Sequence, residues 1–291
     1  MSHPTPPLTH AFEENDPPPA DRGNGRRAGS GVSTATAVAL AGVTSRYREG
    51  QRVLTALDDV TLSVAPGEFV ALIGPSGSGK STLLDLVAGL IEPDAGEIRI
   101  AGAPPSDSRL GRTAYMRQRD LLVPWRTIAG NAALALEAAG MPRREAEARA
   151  RSRLAEFGLD GFADAWPAQL SGGMRQRVAF LRTVLPAKPL LLLDEPFAAL
   201  DALTRADLHT WLLALWERER QAVLLVTHDV DEAVLLADRA VILTARPGRV
   251  SAEVAIDLPR PRRRALVTDP RFVACKARVL AALGILGGDA A

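Results

Sequence analysis

Gly74-Pro75-Ser76-Gly77-Ser78-Gly79-Lys80-Ser81 meets every fixed position of the pattern G-x-x-x-x-G-K-[ST]. Immediately before it, residues 69–73 form an unbroken apolar run of strand length. After Lys80, apolar residues recur at Leu83, Leu84, Val87, Leu90 and Ile91, which is helical spacing. The loop therefore sits between a buried strand and a helix. Glycines let its backbone wrap an anion with N–H groups turned inward, and the helix N-terminus adds partial positive charge. Lys80 is expected to reach the β- and γ-phosphates of a nucleotide, and Ser81 to offer its hydroxyl to Mg2+. The competing reading is a chance Gly/Ser turn ahead of a core helix. Strand, loop, Lys-Ser and helix in one register argue against it.

Other strand and helix ends carry further polar groups. Residues 190–193 read as an apolar strand ending in Asp194-Glu195. Two acids at a buried strand end are costly unless a cation or a water sits there. In a phosphate-loop protein Asp194 would hold Mg2+ and Glu195 would polarise the attacking water. Residues 222–226 form another buried strand, ending in Thr227-His228-Asp229, so His228 lies where open α/β sheets bind ligands. A γ-phosphate contact is the reading favoured there over a structural histidine. Ser171-Gly172-Gly173 opens a second helix over residues 174–184, which reads either as a capped helix start or as an anion site. Tyr47, in strand-like sequence before the loop, is either a base-stacking ring or a half-buried strand tyrosine.

The remaining chain frames these motifs. Residues 1–36, rich in Pro, Gly, Ser and charge, read as a disordered tail in which His3 and His10 are solvated. Residues 38–64 alternate as a small antiparallel sheet. Residues 121–125 form an exposed apolar cluster broken by Pro124, and a helical region follows over 127–166. Residues 203–218 form an amphipathic helix with Trp211 and Trp216 packed and His209 on the surface. A C-terminal extension over 257–291 carries Arg260, Arg262, Arg263 and Arg264, expected to be solvated, and then a short apolar helix.

Bulk properties narrow the classes. The chain has 291 residues, 47% of them hydrophobic, and a formal charge of +1, so no overall field calls for nucleic acid. One cysteine, Cys275, rules out an intramolecular disulfide and suits a reducing compartment. No apolar run approaches the length that crosses a bilayer, and the N-terminus lacks a signal-peptide core. Any work at a membrane would need a partner to hold the chain there.

Together these motifs resemble the ATP-binding subunit of ABC transporters over roughly residues 37–256. Leu170-Ser171-Gly172-Gly173-Met174-Arg175-Gln176 is similar to the family's signature loop, Gln118 to its Q-loop glutamine, Ala199-Leu200-Asp201 to its D-loop and His228 to its switch histidine. The resemblance implies an α/β P-loop NTPase with a RecA-like core, an antiparallel β subdomain and a helical subdomain over about 121–187. It implies a nucleotide set of Tyr47, Gly74 to Thr82 and Gln118, with Ser81, Gln118 and Asp194 toward Mg2+. It implies catalysis by Glu195, His228 and Lys80 on ATP. Two chains would pack head to tail, with Ser171, Gly172, Gly173 and Gln176 of one copy against ATP on the other, and Asp201 in the D-loop between them. The partners implied are an integral membrane permease and, through it, a periplasmic or lipoprotein solute-binding protein. The chain would lie peripherally on the cytoplasmic side of the plasma membrane. The runs 118–125 and 194–201 resemble importers of the nitrate, sulfonate and taurine group, which includes carriers of thiamine pyrimidine precursors. An exporter or lipid-transport ATPase, and a soluble ABC ATPase of DNA repair or translation, are the alternatives. The second kind usually carries two cassettes or a long coiled-coil insertion, and this sequence has one phosphate loop.

Overall fold

The structure, a computed structural model, describes residues 36–50 and 52–286. The tail expectation and both of its histidines fall on residues 1–35, outside that range. Strands β1 (Val38–Glu49) and β2 (Arg52–Val64) pair antiparallel, and β2 buries every second residue from Val60 to Val64. Next come β3 (Phe69–Ile73) and helix α1 (Lys80–Ala88). β4 (Ala95–Ile100) then returns to β1, giving a three-stranded sheet of order β2-β1-β4. That sheet is completed by a strand after the phosphate loop, not only by the segment before it. Helix α1 ends at Ala88 because Gly89 turns left-handed at φ 75 and caps it. Leu90 and Ile91, expected on the helix, therefore lie beyond it.

Thereafter the chain alternates. β5 (Ala114–Met116) precedes three helices, α2 (Ile128–Ala138), α3 (Arg143–Arg153) and α4 (Gly172–Val184). Then follow β6 (Leu190–Asp194), α5 (Ala202–Glu219), β7 (Ala222–Val226), α6 (Val230–Leu236) and β8 (Arg239–Leu243). β9 (Val250–Ala255) and α7 (Pro270–Ala282) close the described chain. The second sheet has the order β5-β6-β7-β3-β8-β9, parallel except for β9.

Its central strands are buried on both faces, which explains their unbroken apolar sequence. Phe69, Ala71 and Ile73 point into one core with α4 and α5, while Val70 and Leu72 point into another with α1 and the antiparallel sheet. Both layers leave the carboxyl ends of β3, β6 and β7 free to carry loops, where parallel sheets bind ligands.

Two expectations of solvent exposure fail. Arg262 is 4% exposed, not solvated. Its guanidinium donates to the carbonyls of Val234 and Ala237 at the end of α6, and to those of Ile256 and Leu258 beyond β9. A planar five-donor group satisfies helix-end carbonyls that otherwise lack partners. Burial, with Arg260 beside it, pushes the Arg262 pKa down to about 10, which still leaves it charged at neutral pH. Arg260 lies 4.0 Å over the Trp216 ring and pairs with Asp238 at 2.7 Å. His209 is also not a free surface polar group. Its Nε2 lies 3.2 Å from Glu232, and its ring meets the Phe197 ring at 4.6 Å.

Candidate active site

The phosphate loop connects β3 to α1 and is shaped by close contacts within the chain. Gly79 has φ 90, and a Cβ there would lie 2.7 Å from Leu57 and 3.0 Å from the Ala56 carbonyl. Only glycine fits both constraints without strain. Gly74 is equally confined, because a Cβ would lie 2.7 Å from the Leu243 carbonyl. Ser78 is fully buried inside the loop. Lys80 Nζ donates to the carbonyls of Gly74 at 2.8 Å and Pro75 at 2.9 Å, and to Ser78 Oγ at 3.3 Å. Burial lowers the Lys80 pKa, and the neighbouring Glu195 and Asp194 carboxylates oppose that shift.

A cleft of about 260 Å3 opens over this loop. Tyr47, Lys80, Ser81, Thr82 and Glu195 all line it, so β1, the loop, α1 and the end of β6 meet at one place. The Tyr47 hydroxyl lies 3.1 Å from Thr82 Oγ1, which ties the antiparallel sheet to α1.

Asp194, the last residue of β6, and Glu195 just after it face the same loop. Ser81 Oγ donates to Asp194 Oδ1 at 3.2 Å. Burial raises the Asp194 pKa, with the Ser81 hydrogen bond working against it. Glu195 adopts φ 43, in the left-handed region that a branched or long side chain avoids. Its amide bonds the Val226 carbonyl at 2.9 Å, so the sheet itself holds this conformation. Backbone strain maintained by surrounding structure is typical of functional positions. The carboxylate then meets Gln118 Nε2 at 3.2 Å and His228 Nδ1 at 3.5 Å. Residues from β5, β6 and β7 ends thus converge on Glu195, although Gln118 lies 77 residues before it.

The segment around Ser171 is elsewhere. Ser171 Oγ accepts from the Met174 amide at 3.2 Å and caps α4. Gly172 lines a second cleft with Gln118 and Pro196, not the one over the phosphate loop. Gln176, read from the sequence as part of an outward contact, is 6% exposed and its amide donates to the Pro196 carbonyl. It ties α4 to the turn after Glu195 and lines the same second cleft as Gly172. Asp201 caps α5 by accepting from Leu203 N at 3.1 Å and Thr204 N at 3.0 Å.

Sequence reasoning missed two contributors. Arg246, in the turn after β8, also lines the cleft over the phosphate loop. No motif marks it, because its position depends on how two strands pair. Glu232, which receives Thr227 Oγ1 at 2.6 Å and faces His209, anchors the residue before His228.

Comparison with known proteins agrees with this geometry. The ABC transporter family model matches residues 57–198. An aliphatic sulfonates import ATP-binding protein of Nocardia farcinica is 48% identical over 258 residues, covering 89% of this chain and 95% of that protein. A taurine import ATP-binding protein of Pseudomonas putida is 43% identical over 77% of this chain and 87% of its own length. A solved dimer of an ATP-binding cassette in a post-hydrolysis state, bound to ADP and Pi, superposes with a TM-score of 0.65. That dimer is 33% identical, and the match covers 76% of this chain and all of the other. A phosphate loop facing a strand-end acid pair, on a fold shared with these proteins, leads to one conclusion: the chain belongs to the ABC transporter family and is one of its ATP-hydrolysing cassettes.

Proposed function

We propose that the chain is the ATPase subunit of a bacterial ABC importer, of the kind that carries aliphatic sulfonates or taurine. Two copies, or this chain and a paralogue, close head to tail on ATP and drive a separate membrane permease, which a solute-binding protein supplies. The observation that carries the chemistry is Glu195, held at φ 43 and lining the same cleft as Lys80. No described helix is long and apolar enough to cross a membrane, so the permease supplies the membrane passage. The chain then works from the cytoplasmic face, where ATP is available. The exposed side chains of Leu121 and Trp125, at 51% and 76%, offer the permease an apolar contact beside Gln118.

In this reading Tyr47 stacks on the base, and the loop amides from Gly74 to Thr82 cradle the phosphates. Ser76 and Gly77 lie at the cleft wall, and Lys80 turns from its own loop carbonyls to the phosphate oxygens. Glu195 accepts the proton of the attacking water, and His228 steadies the γ-phosphate. The Ser81 hydroxyl, the buried Asp194 carboxylate and Gln118 form an oxygen-rich donor set that suits a hard divalent cation. Magnesium held there would neutralise charge on the phosphates as the bond breaks. Ser171, Gly172 and Gly173 present the N-terminus of α4 to the outer side of a nucleotide bound by the other copy. Hydrolysis removes the group that bridges the two copies, and the dimer reopens.

The test is capture of the tagged chain from its native membranes, with ATPase assay of the captured complex. A co-purifying permease, and hydrolysis lost in Lys80→Ala, are expected. Ribosomal or DNA-repair partners without a permease would overturn the transport reading.

A further inference from the structure

We infer that Arg246 is a second cation of the nucleotide cleft, donating to a phosphate oxygen of bound ATP beside Lys80. This rests on the nucleotide reading above. An exposed arginine is by itself ordinary. What sets this one apart is the turn that carries it.

Residues 244–249 are tied to themselves and to two functional elements. Thr244 N donates to the Arg249 carbonyl at 2.9 Å, and Thr244 Oγ1 donates to that of Pro247 at 2.9 Å. Gly248 N donates to the Ala56 carbonyl at 2.9 Å and Asp58 N to the Gly248 carbonyl at 3.0 Å, so the turn adds to β2. On its other side the turn presses on the phosphate loop, where a Cβ at Gly248 would lie 2.0 Å from the Ser78 carbonyl. The backbone beneath Arg246 is therefore fixed against both the base-binding sheet and the phosphate cradle.

The side chain then enters the cleft. Its Nε donates to the Gly77 carbonyl at 3.3 Å, and among the described residues its guanidinium forms no ion pair and no other hydrogen bond. Both terminal nitrogens remain available on the side that lines the cleft with Lys80. A nucleoside triphosphate brings several negative charges to a wall where Lys80 is the other cation and Glu195 an anion. Arginine's planar fork suits phosphate oxygens and holds its charge at any physiological pH.

Arg246→Ala and Arg246→Lys would be compared with the wild type and with Lys80→Ala. Each full-length chain would be titrated with Mg-ATP, melted without nucleotide, and assayed for ATPase. We expect Arg246→Ala to raise the ATP Kd about tenfold. The loss should fall on KM more than kcat, leave the ligand-free melting point in place, and shrink at high salt. Arg246→Lys should recover part of the affinity. An unchanged Kd in Arg246→Ala, with binding lost in Lys80→Ala, would overturn the inference and leave the nucleotide site standing. A raised Kd with a lowered melting point and no recovery by lysine would also overturn it, because Arg246 would then be a prop of the turn. A wild-type chain that binds no ATP would remove both readings.

Discussion

Two helix N-termini of this molecule carry glycine-rich sequence, and they differ in how far the chain itself explains the glycines. Ahead of α1, Gly74 and Gly79 are demanded by backbone and side chains of the same chain, at 2.7 Å from an added Cβ. At the start of α4, Gly173 is buried and as confined, with an added Cβ 2.5 Å from Thr204 Cγ2, whereas Gly172 is exposed and a Cβ there would meet nothing nearer than 3.8 Å. The α1 end carries a buried cation and lines a cleft with Glu195, whereas the α4 end is capped by its own Ser171 and lines a separate cleft. One is a finished phosphate cradle. The other has clear space beside Gly172 alone. That contrast at Gly172 is what the proposed nucleotide site, split between two copies, would require.

The contrast can be broken in several ways, beginning with the largest effect. Glu195→Gln keeps the cradle and removes the base, so steady-state hydrolysis should fall by about 10^2 to 10^4. ATP should still bind, and the ATP-bound dimer should persist on size-exclusion chromatography. Unchanged hydrolysis would reject Glu195 as the base. Gly172→Asp places an anion where the other copy's γ-phosphate is to be met. Hydrolysis should drop by more than about tenfold, since a like-charge contact costs several kcal/mol. ATP affinity of the isolated chain should be retained.

Smaller effects sharpen the same comparison on stability. Gly79→Ala should cost about 1–3 kcal/mol in denaturant unfolding, because its left-handed backbone and close neighbours leave no room. Gly172→Ala should stay within about 0.5 kcal/mol of wild type. Equal costs at the two positions would erase the distinction. Asp194→Asn probes the acid pair through pH. Burial raises the folded pKa of Asp194, so the folded state binds its proton more tightly than the unfolded chain does. Stability from this group is present below the ordinary carboxylate range and is lost as pH rises through the folded pKa. Thermal melts of the nucleotide-free chain should therefore show Asp194→Asn gaining on wild type above that window and losing the advantage at acid pH. A constant offset across pH would mean that Asp194 titrates normally.

Legibility in the sequence followed the range of the interaction. The positions of the phosphate loop, the acid pair at the end of β6 and His228 were legible because each ends or follows an apolar strand and needs only local pattern. The fold class was legible because strands buried on both faces leave unbroken apolar runs. Arg246 was not, since it reaches the cleft only through the pairing of the turn after β8 with Ala56 and Asp58. Nor was the burial of Arg262, whose carbonyl partners are contributed by α6 and by the chain beyond β9. A cluster of arginines has the composition of a solvated segment, and only tertiary structure brings acceptor carbonyls to it. Gln176 has a contact that the loop pattern did not announce. Its place in a recognisable loop says nothing of Pro196, whose carbonyl its amide meets while it lines the second cleft.

The claim of a split site is tested most directly by mixing two inactive chains, Lys80→Ala and Gly172→Asp, in equal amounts and measuring ATP hydrolysis. In a head-to-tail pair, one of the two sites then combines an intact phosphate loop from one copy with an intact Gly172 from the other. The account predicts that the mixture regains a substantial share of wild-type activity while each chain alone stays near background. No recovery in a mixture shown to form mixed dimers, or full activity in Gly172→Asp alone, would contradict it.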